Sequence, residues 1–407
     1  MKKLVVMKFG GSSVADSSKI KNVARRVIKN RKLGYDVVVV VSAPGDMTDD
    51  LLKMADGITK KPDEREMDVL LSTGEQISIA LLTMAIKDLR YSAISLTGAQ
   101  AGIEATLHHT RAKITRITPN KLRYELDKKR IVIVAGFQGI NSNSDIVTLG
   151  RGGSDLTAVA LAAVLKADLC EIYTDVDGIY RTDPRICPES HKIDTISYDE
   201  ILELAGAGAQ VMQARSIEVA KKFDVEIHVR SSYNDRVGTR ITREVKRMEE
   251  VVVSGIALDR NQAKISVIDV PDKPGIAAKI FGELAKAHIN VDMIIQSGAR
   301  GKNNDISFTI SSQDLGKALD VLKKAQKVVK AKRVIYDNEI SKVAIVGVGM
   351  RSHPGVAAKM FQALAKNKIN IEMISTSEIK ISCVVAKADL EKAVKILHKV
   401  FDLGKRG

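Results

Sequence analysis

Two glycine-rich segments carry the residues best suited to chemistry. Lys8-Phe9-Gly10-Gly11-Ser12-Ser13 stands where an apolar run gives way to a helical pattern, and Arg151-Gly152-Gly153-Ser154-Asp155 precedes the apolar stretch LTAVALAAVL. Glycines let main-chain N–H groups approach an anion, and a helix N-terminus favours negative charge. Lys8 adds a mobile point charge, and Arg151 a planar fork that can grip a carboxylate through two parallel bonds. Either turn alone could be purely structural, and Ser154 or Asp155 could simply cap the helix. Two such turns in one α/β domain favour an anion site. No G-x-x-x-x-G-K-[ST] is present, which argues against a P-loop. YTDVDGIYRTDPR holds Asp175, Asp177 and Asp183, but lacks the acid that closes a calcium loop. The seven histidines are scattered, and none is given a catalytic role. GVGMRS looks like a dinucleotide fingerprint, yet Ser352 replaces its third glycine and Pro354 lies inside the turn.

These residues must be positioned by alternating strands and helices. LVVMKFGG, DVVVVVSAP, IVIVAGFQG, DLCEIYTDVDG and VEIHVRS read as strands. SSKIKNVARRVIKNRKLG, EQISIALLTMAIKDL, LTAVALAAVLKA and SIEVAKKF read as helices. The alternation predicts an α/β fold, a mainly parallel sheet with helices on both faces. The glycines follow strands, where such sheets bind their ligands.

The charged segment TREVKRMEE marks a domain boundary, and a repeat follows it. DKPGIAAKIFGELAKAHINVDMIIQS matches SHPGVAAKMFQALAKNKINIEMISTS, with Pro274 and Gly275 corresponding to Pro354 and Gly355. Each copy predicts the order β-α-β-β-α-β, a ferredoxin-like module present twice, suited to a sensor or dimerisation unit. The expected domains are 1–245, 246–340 and 341–407. Asp292 and Glu372 alternate with apolar residues, so either could sit on a solvated face.

The 407 residues carry 64 Lys and Arg against 49 Asp and Glu, a formal charge of +15. That attracts anions, but aromatics are only 4%, Trp is absent, and no nucleic-acid motif appears. Cys170, Cys187 and Cys383 are far apart and form no C-x-x-C pair, as in a reducing compartment. The N-terminal apolar run ends at Lys8, so it reads as a buried strand rather than a signal peptide. No apolar run approaches the ~18 residues of a membrane span, and the expected location is the cytoplasm.

The chain resembles the aspartokinases, of the amino-acid kinase superfamily with C-terminal tandem ACT domains. The resemblance is carried nearly end to end by KFGGSSV, LSTGEQIS, GFQG, TLGRGGSD, YTDVDGIYRTDPR, RSIEVA and STSEIKIS. It implies the amino-acid kinase fold followed by two ACT modules. It also implies transfer of the γ-phosphoryl of ATP to the β-carboxylate of aspartate, with Mg2+ arriving on ATP and no protein ligand assigned to the metal. A carboxylate nucleophile is ionised at neutral pH and needs no general base, which leaves electrostatics and alignment as the task.

By the same resemblance Lys8, Arg151 and Asp155 are catalytic, and Thr48, Glu75, Arg151 and Ser154 bind aspartate. Lys8, Phe9, Gly10, Gly11, Thr174, Asp175, Tyr180, Arg185 and Gln210 line the ATP site. Glu75 would receive the substrate ammonium; read alone it is an exposed first-turn helix glutamate, and Thr48 a loop threonine. Gln210 stands where relatives often carry lysine. Asp272, Gly275, Ala277, Gln296, Asn370 and Ile374 are the expected contacts of an amino-acid effector, lysine or threonine or both. ACT pairing implies a homo-oligomer, with no nucleic-acid or membrane partner, and Met248 is a candidate internal start for a separate regulatory subunit. The competing readings are a kinase of another small acceptor and an amino-acid sensor with an inactive kinase domain.

Overall fold

The computed structural model describes residues 3–209, 212–245, 252–298 and 303–405. Gln210 and Met248 lie outside the described residues. The chain divides into two compact units: Met1–Ile179, Lys192–Ala205 and Gln210–Arg247 form the first, and Tyr180–His191, Gly206–Ala209 and Met248–Gly407 the second.

The first unit begins β1 (Leu4–Phe9), α1 (Ser17–Lys32), β2 (Asp36–Val41), α2 (Met47–Ile58), α3 (Glu64–Asp88), β3 (Ala93–Leu96), β4 (Ile103–Ala105) and β5 (Ile114–Ile117). It continues with α4 (Asn120–Asp127), β6 (Ile131–Ala135), β7 (Gln138–Ile140), β8 (Ile146–Thr148), α5 (Gly153–Leu165) and β9 (Leu169–Thr174). β10 (Thr195–Ser197), α6 (Tyr198–Gly206), α7 (Ala214–Phe223), β11 (Ile227–Ser231) and β12 (Thr239–Thr242) follow. The main sheet has the order β10-β12-β11-β9-β1-β2-β6-β3, and only the β11–β12 pair is antiparallel. A small sheet, β5-β4-β7-β8, stands beside it.

Burial on both faces explains the unbroken valines of β2. Met7, Phe9, Val37, Val39 and Val41 pack with Val23 and Val27 of α1 and Leu82 and Ile86 of α3. α5 covers the other face, and its residues Gly153 to Ala162 are all buried. The expected parallel α/β sheet with helices on both faces is therefore present. α3 is long and apolar enough to cross a membrane by length and composition, but it buries Asp68, Ser72, Glu75 and Ser78 within this unit.

The second unit holds β13 (Gly255–Pro271), α8 (Ile276–Lys286), β14 (Val291–Gln296), β15 (Asn303–Ser311), α9 (Leu315–Val329) and β16 (Arg333–Val346). α10 (Val356–Lys366), β17 (Met373–Thr376), β18 (Lys380–Ala386) and α11 (Leu390–Val400) complete it. All six strands form one antiparallel sheet, β14-β15-β13-β16-β18-β17.

The two repeat copies share its central strands. Gln262 to Ile268 of β13 pairs with Arg333 to Ile340 of β16, and with α8, β14, β15 and α9 this completes the first copy. In the second copy Ile340 to Val346 pairs with β18, and its fourth strand is Gly255 to Asp259, from ahead of the first copy. The chain order β-α-β-β-α-β thus holds contiguously for the first copy only. A boundary between 340 and 341 runs through the middle of β16. The shared pairing shifts register between Asp259 and Gln262, where β13 passes from one copy to the other.

Candidate active site

Four adjacent parallel strands, β9-β1-β2-β6, bring their C-terminal ends to one edge of the first unit. Lys8 is the penultimate residue of β1. Phe9 beside it points into the α1 core, fully buried and stacked on Tyr173 with ring centroids 4.6 Å apart. The side chain of Phe9 therefore braces the turn from beneath. Lys8 takes the opposite face, where its Nζ lies 2.7 Å from Asp155 Oδ1 with both side chains largely buried. That oxygen makes no aligned hydrogen bond, so the contact is an ion pair in which the ammonium remains free to bond elsewhere.

The turns around this pair are glycine where a side chain would not fit. A Cβ on Gly11 would stand 2.7 Å from the Ala43 carbonyl oxygen, and one on Gly136 would stand 2.7 Å from Ser154 Oγ. Gly152 adopts φ 69° at the N-cap of α5, a left-handed conformation that glycine adopts at little cost. These close approaches leave a cradle of main chain around Lys8, Ser154 and Asp155.

Glu75 is not a first-turn residue. α3 starts at Glu64, with Asp63 as its N-cap, and Glu75 sits in the buried middle of the helix. Gly74 beside it allows α3 to press on Ala43, since a Cβ there would come 2.6 Å from that residue's Cβ. Glu75 is 3% exposed, its Oε1 accepts the Ala43 N–H at 3.0 Å, and its Oε2 has no partner. Burial pushes its carboxyl up to about 7. A half-satisfied acid with this affinity for a proton is matched to a ligand cation. Thr48 lies in the first turn of α2, half-buried, rather than in a loop.

Arg151 is exposed on the turn before α5. Thr174 ends β9, and its hydroxyl donates to exposed Asp175 at 2.9 Å. Asp177 accepts from Asn234 at 2.6 Å and from Arg236 at 3.2 Å; the Asn234 bond holds its carboxyl below the usual range. Tyr180 and Arg185 belong to the second unit, where the Arg185 guanidinium grips Asp183 at 2.8–3.2 Å. The three aspartates of this segment are thus taken up by different partners, Thr174, the pair Asn234 and Arg236, and Arg185. Among the described residues no group of three or more His, Cys, Asp or Glu could hold a metal.

In the second unit Gly275, φ 90°, caps α8, and Ala277 is exposed on that helix. Asp272 accepts from Asn304 at 3.1 Å, Gln296 ends β14, and Ile374 is exposed on β17. Asn370 is exposed, just ahead of β17. Gln296 and Ile374 lie on the two outer strands, β14 and β17, whose Met293, Ile295 and Met373 pack in one cluster with Ile340 and Val384 of the inner strands. Asp292 and Glu372 are not free on a solvated face. Lys342 Nζ bonds Asp292, and Lys264 Nζ bonds Glu372 at 2.6 Å, so each copy's lysine reaches the other copy's acid.

The Amino acid kinase family pattern matches residues 3–231, and the ACT domain pattern matches 265–326 and 343–401. A relative from Mycolicibacterium smegmatis named aspartokinase is 50% identical over 407 residues, covering 98% of this chain and 96% of that one. One from Pseudomonas putida named aspartate kinase is 49% identical over 401 residues and covers 98% of both. The chain belongs to the aspartokinase family. It is a phosphotransferase. Among solved structures, E. coli aspartokinase III in complex with aspartate and ADP (R-state) superposes with TM-score 0.85 at 26% identity, over 98% of this chain and 99% of that one. The same enzyme in complex with lysine and aspartate (T-state) gives 0.75 at 26% identity, over 97% of this chain and 99% of that one.

Several aspartokinase residues escaped the sequence. Asp68 is fully buried on α3, and Glu171 is buried on β9, on the same face of the sheet as Tyr173 and opposite to Lys8. Glu171 accepts from Tyr173 Oη at 2.8 Å and from Arg230 at 2.9 Å. His228 stands 3.8 Å from it, its imidazole pushed down to about 4 by burial and then by nearby arginines. The available signal was an acid inside an apolar pattern: Asp68 lies two helical turns before Glu75, on the same face.

Proposed function

We propose that this aspartokinase moves the γ-phosphoryl of ATP onto the β-carboxylate of L-aspartate, forming 4-phospho-L-aspartate. The observation that carries the reading is the Lys8–Asp155 pair inside a glycine cradle, with Glu75 presenting an unpaired buried oxygen in the same unit. The β-carboxylate oxygen attacks the γ-phosphorus, and the bond to the β–γ bridging oxygen breaks, releasing ADP. No proton is removed from the nucleophile, so the protein's work is neutralisation and alignment.

Lys8 neutralises the phosphates, with Asp155 holding its ammonium in place. Gly10 and Gly11 open main chain toward them, and Thr174, Asp175 and Gln210 serve the nucleotide. Arg151 grips a substrate carboxylate, Glu75 takes the α-ammonium, and Thr48 and Ser154 complete the acceptor site. Mg2+ would enter with ATP and would supply charge neutralisation at the phosphates.

The ACT modules bind lysine, threonine or both at Asp272, Gly275, Ala277, Gln296, Asn370 and Ile374, and restrain the kinase. A coupling of about 1–3 kcal/mol between effector and catalytic states suffices. The reaction opens the aspartate-family pathway in the cytoplasm, in a homo-oligomer paired through ACT modules. A regulatory subunit translated from near Met248 is a further product of the gene. Mg·ATP, aspartate and hydroxylamine should yield aspartyl hydroxamate, and glutamate should yield none. Product from glutamate alone would refute the acceptor, and rates indifferent to lysine, threonine and their mixture would refute the effectors.

A further inference from the structure

Arg151 is exposed, and no hydrogen bond or ion pair holds its guanidinium among the described residues. Its aim therefore depends on the turn that carries it. That turn leaves β8 at Thr148 and runs alongside the segment 109–112, to which it is tied by the Ala112 N–H bond to the Thr148 carbonyl at 2.9 Å. Two charged side chains from different helices grip both strands of this pair. Asp68, from α3, accepts the Thr148 hydroxyl at 2.5 Å, the Thr110 N–H at 3.0 Å and the His109 ring at 2.7 Å. Arg215, from α7, donates to the Leu149 carbonyl at 2.6 Å and to the Ala112 carbonyl at 3.0 Å.

The packing leaves the turn little freedom. Gly150 has φ 74°, and a Cβ there would stand 3.2 Å from the Thr110 carbonyl. Gly152 lies so close to Gln213, at the start of α7, that a Cβ would come within 1.9 Å of its side chain. A guanidinium spans two carbonyls at a fixed separation, whereas a single ammonium directs its bonds from one point. A buried carboxylate holding three donors makes strong, directional bonds that a neutral side chain does not replace.

We propose that Asp68 and Arg215 are positioning residues that clamp the turn from two sides and aim Arg151 at the acceptor's carboxylate. The proposal rests on the reading of Arg151 as the acceptor's grip. Arg215→Met should raise KM for aspartate roughly tenfold or more, since a small misplacement of a binding group costs one to two orders of magnitude. KM for ATP should stay within about twofold, because uniform binding of the other substrate is untouched. Arg215→Lys should recover part of the loss.

The decisive test is a double-mutant cycle on the full-length enzyme, read as KM for aspartate, with circular dichroism to show that each variant is folded. Added to Arg151→Lys, Arg215→Met should produce little further rise, because its effect passes through Arg151. Asp68→Asn, which keeps the size and one acceptor oxygen, repeats the test should Arg215→Met fail to fold. Independent, additive effects, or equal rises in both KM values, would overturn the clamp. If Arg151→Lys alone leaves KM for aspartate unchanged, the role of Arg151 fails and the clamp with it. If Arg151→Lys raises KM while the Arg215 and Asp68 variants do not, the clamp alone fails.

Discussion

A carboxylate buried with one oxygen unpaired, as Glu75 is, works against the fold that holds it. Its carboxyl is raised from 4.5 to about 7 by burial. The folded state therefore binds the extra proton, and stability is full below the unfolded value and is lost as pH rises through about 7. The loss is on the order of 3 kcal/mol. Glu75→Gln should gain most of that in urea unfolding at about pH 8 and little at about pH 4, while losing aspartate binding. The same titration predicts that wild-type affinity for aspartate falls below about pH 7, as the carboxyl that receives the ammonium becomes neutral. His228 acts in the opposite sense. Its imidazole is depressed from 6.5 to about 4, so its contribution is present above 6.5 and is lost as pH falls toward 4. His228→Gln should flatten acid unfolding, and an unchanged acid limb would show that the ring is not buried neutral. The meeting of Lys8 with Asp155 could be anticipated, because two glycine turns after strands both advertise main-chain approach to an anion. The burial of Glu75 could not, because S-T-G-E reads locally as a turn followed by a helix start.

At the scale of elements, the same misreading shortened α3. A mid-helix glycine costs about 1 kcal/mol against alanine, so Gly74 argued for a break. The close approach to Ala43 is what requires it. Gly74→Ala should keep the helix by circular dichroism yet push Ala43 from Glu75 and weaken aspartate binding; unaltered KM would mean the contact is slack. The paired repeat strands show a second limit. Alternation placed Asp292 and Glu372 on one side of their strands, but the lysines they meet come from the other copy, far along the chain. Lys342 is 3% exposed on its side chain while Asp292 is 35% exposed, and removing Asp292 leaves the ammonium, among the described residues, only the Gly206 carbonyl at 3.4 Å. Asp292→Asn should cost about 1 kcal/mol, and Lys342→Met less, because a buried ammonium with one weak acceptor is worse than an apolar replacement. Equal costs in thermal unfolding would contradict this.

Over the whole molecule, the repeat at 272–297 and 352–377 announced two like modules, and strand–helix alternation announced the parallel sheet. Neither could reveal that Gly255 to Asp259 completes the second module, since strand partners are set by tertiary pairing and not by local pattern. The +15 charge identified no partner, and much of it lies on exposed helix faces. The proposed phosphorylation of aspartate in the cradle built on Lys8 can be measured directly. It is tested most directly by aspartyl hydroxamate formation from saturating Mg·ATP and aspartate, comparing the wild type with a folded Lys8→Ala. Robust product is expected from the wild type and a loss of roughly a thousandfold in the variant, as when a preorganised charge is removed from a transition state. Turnover by Lys8→Ala within a few-fold of wild type would contradict it.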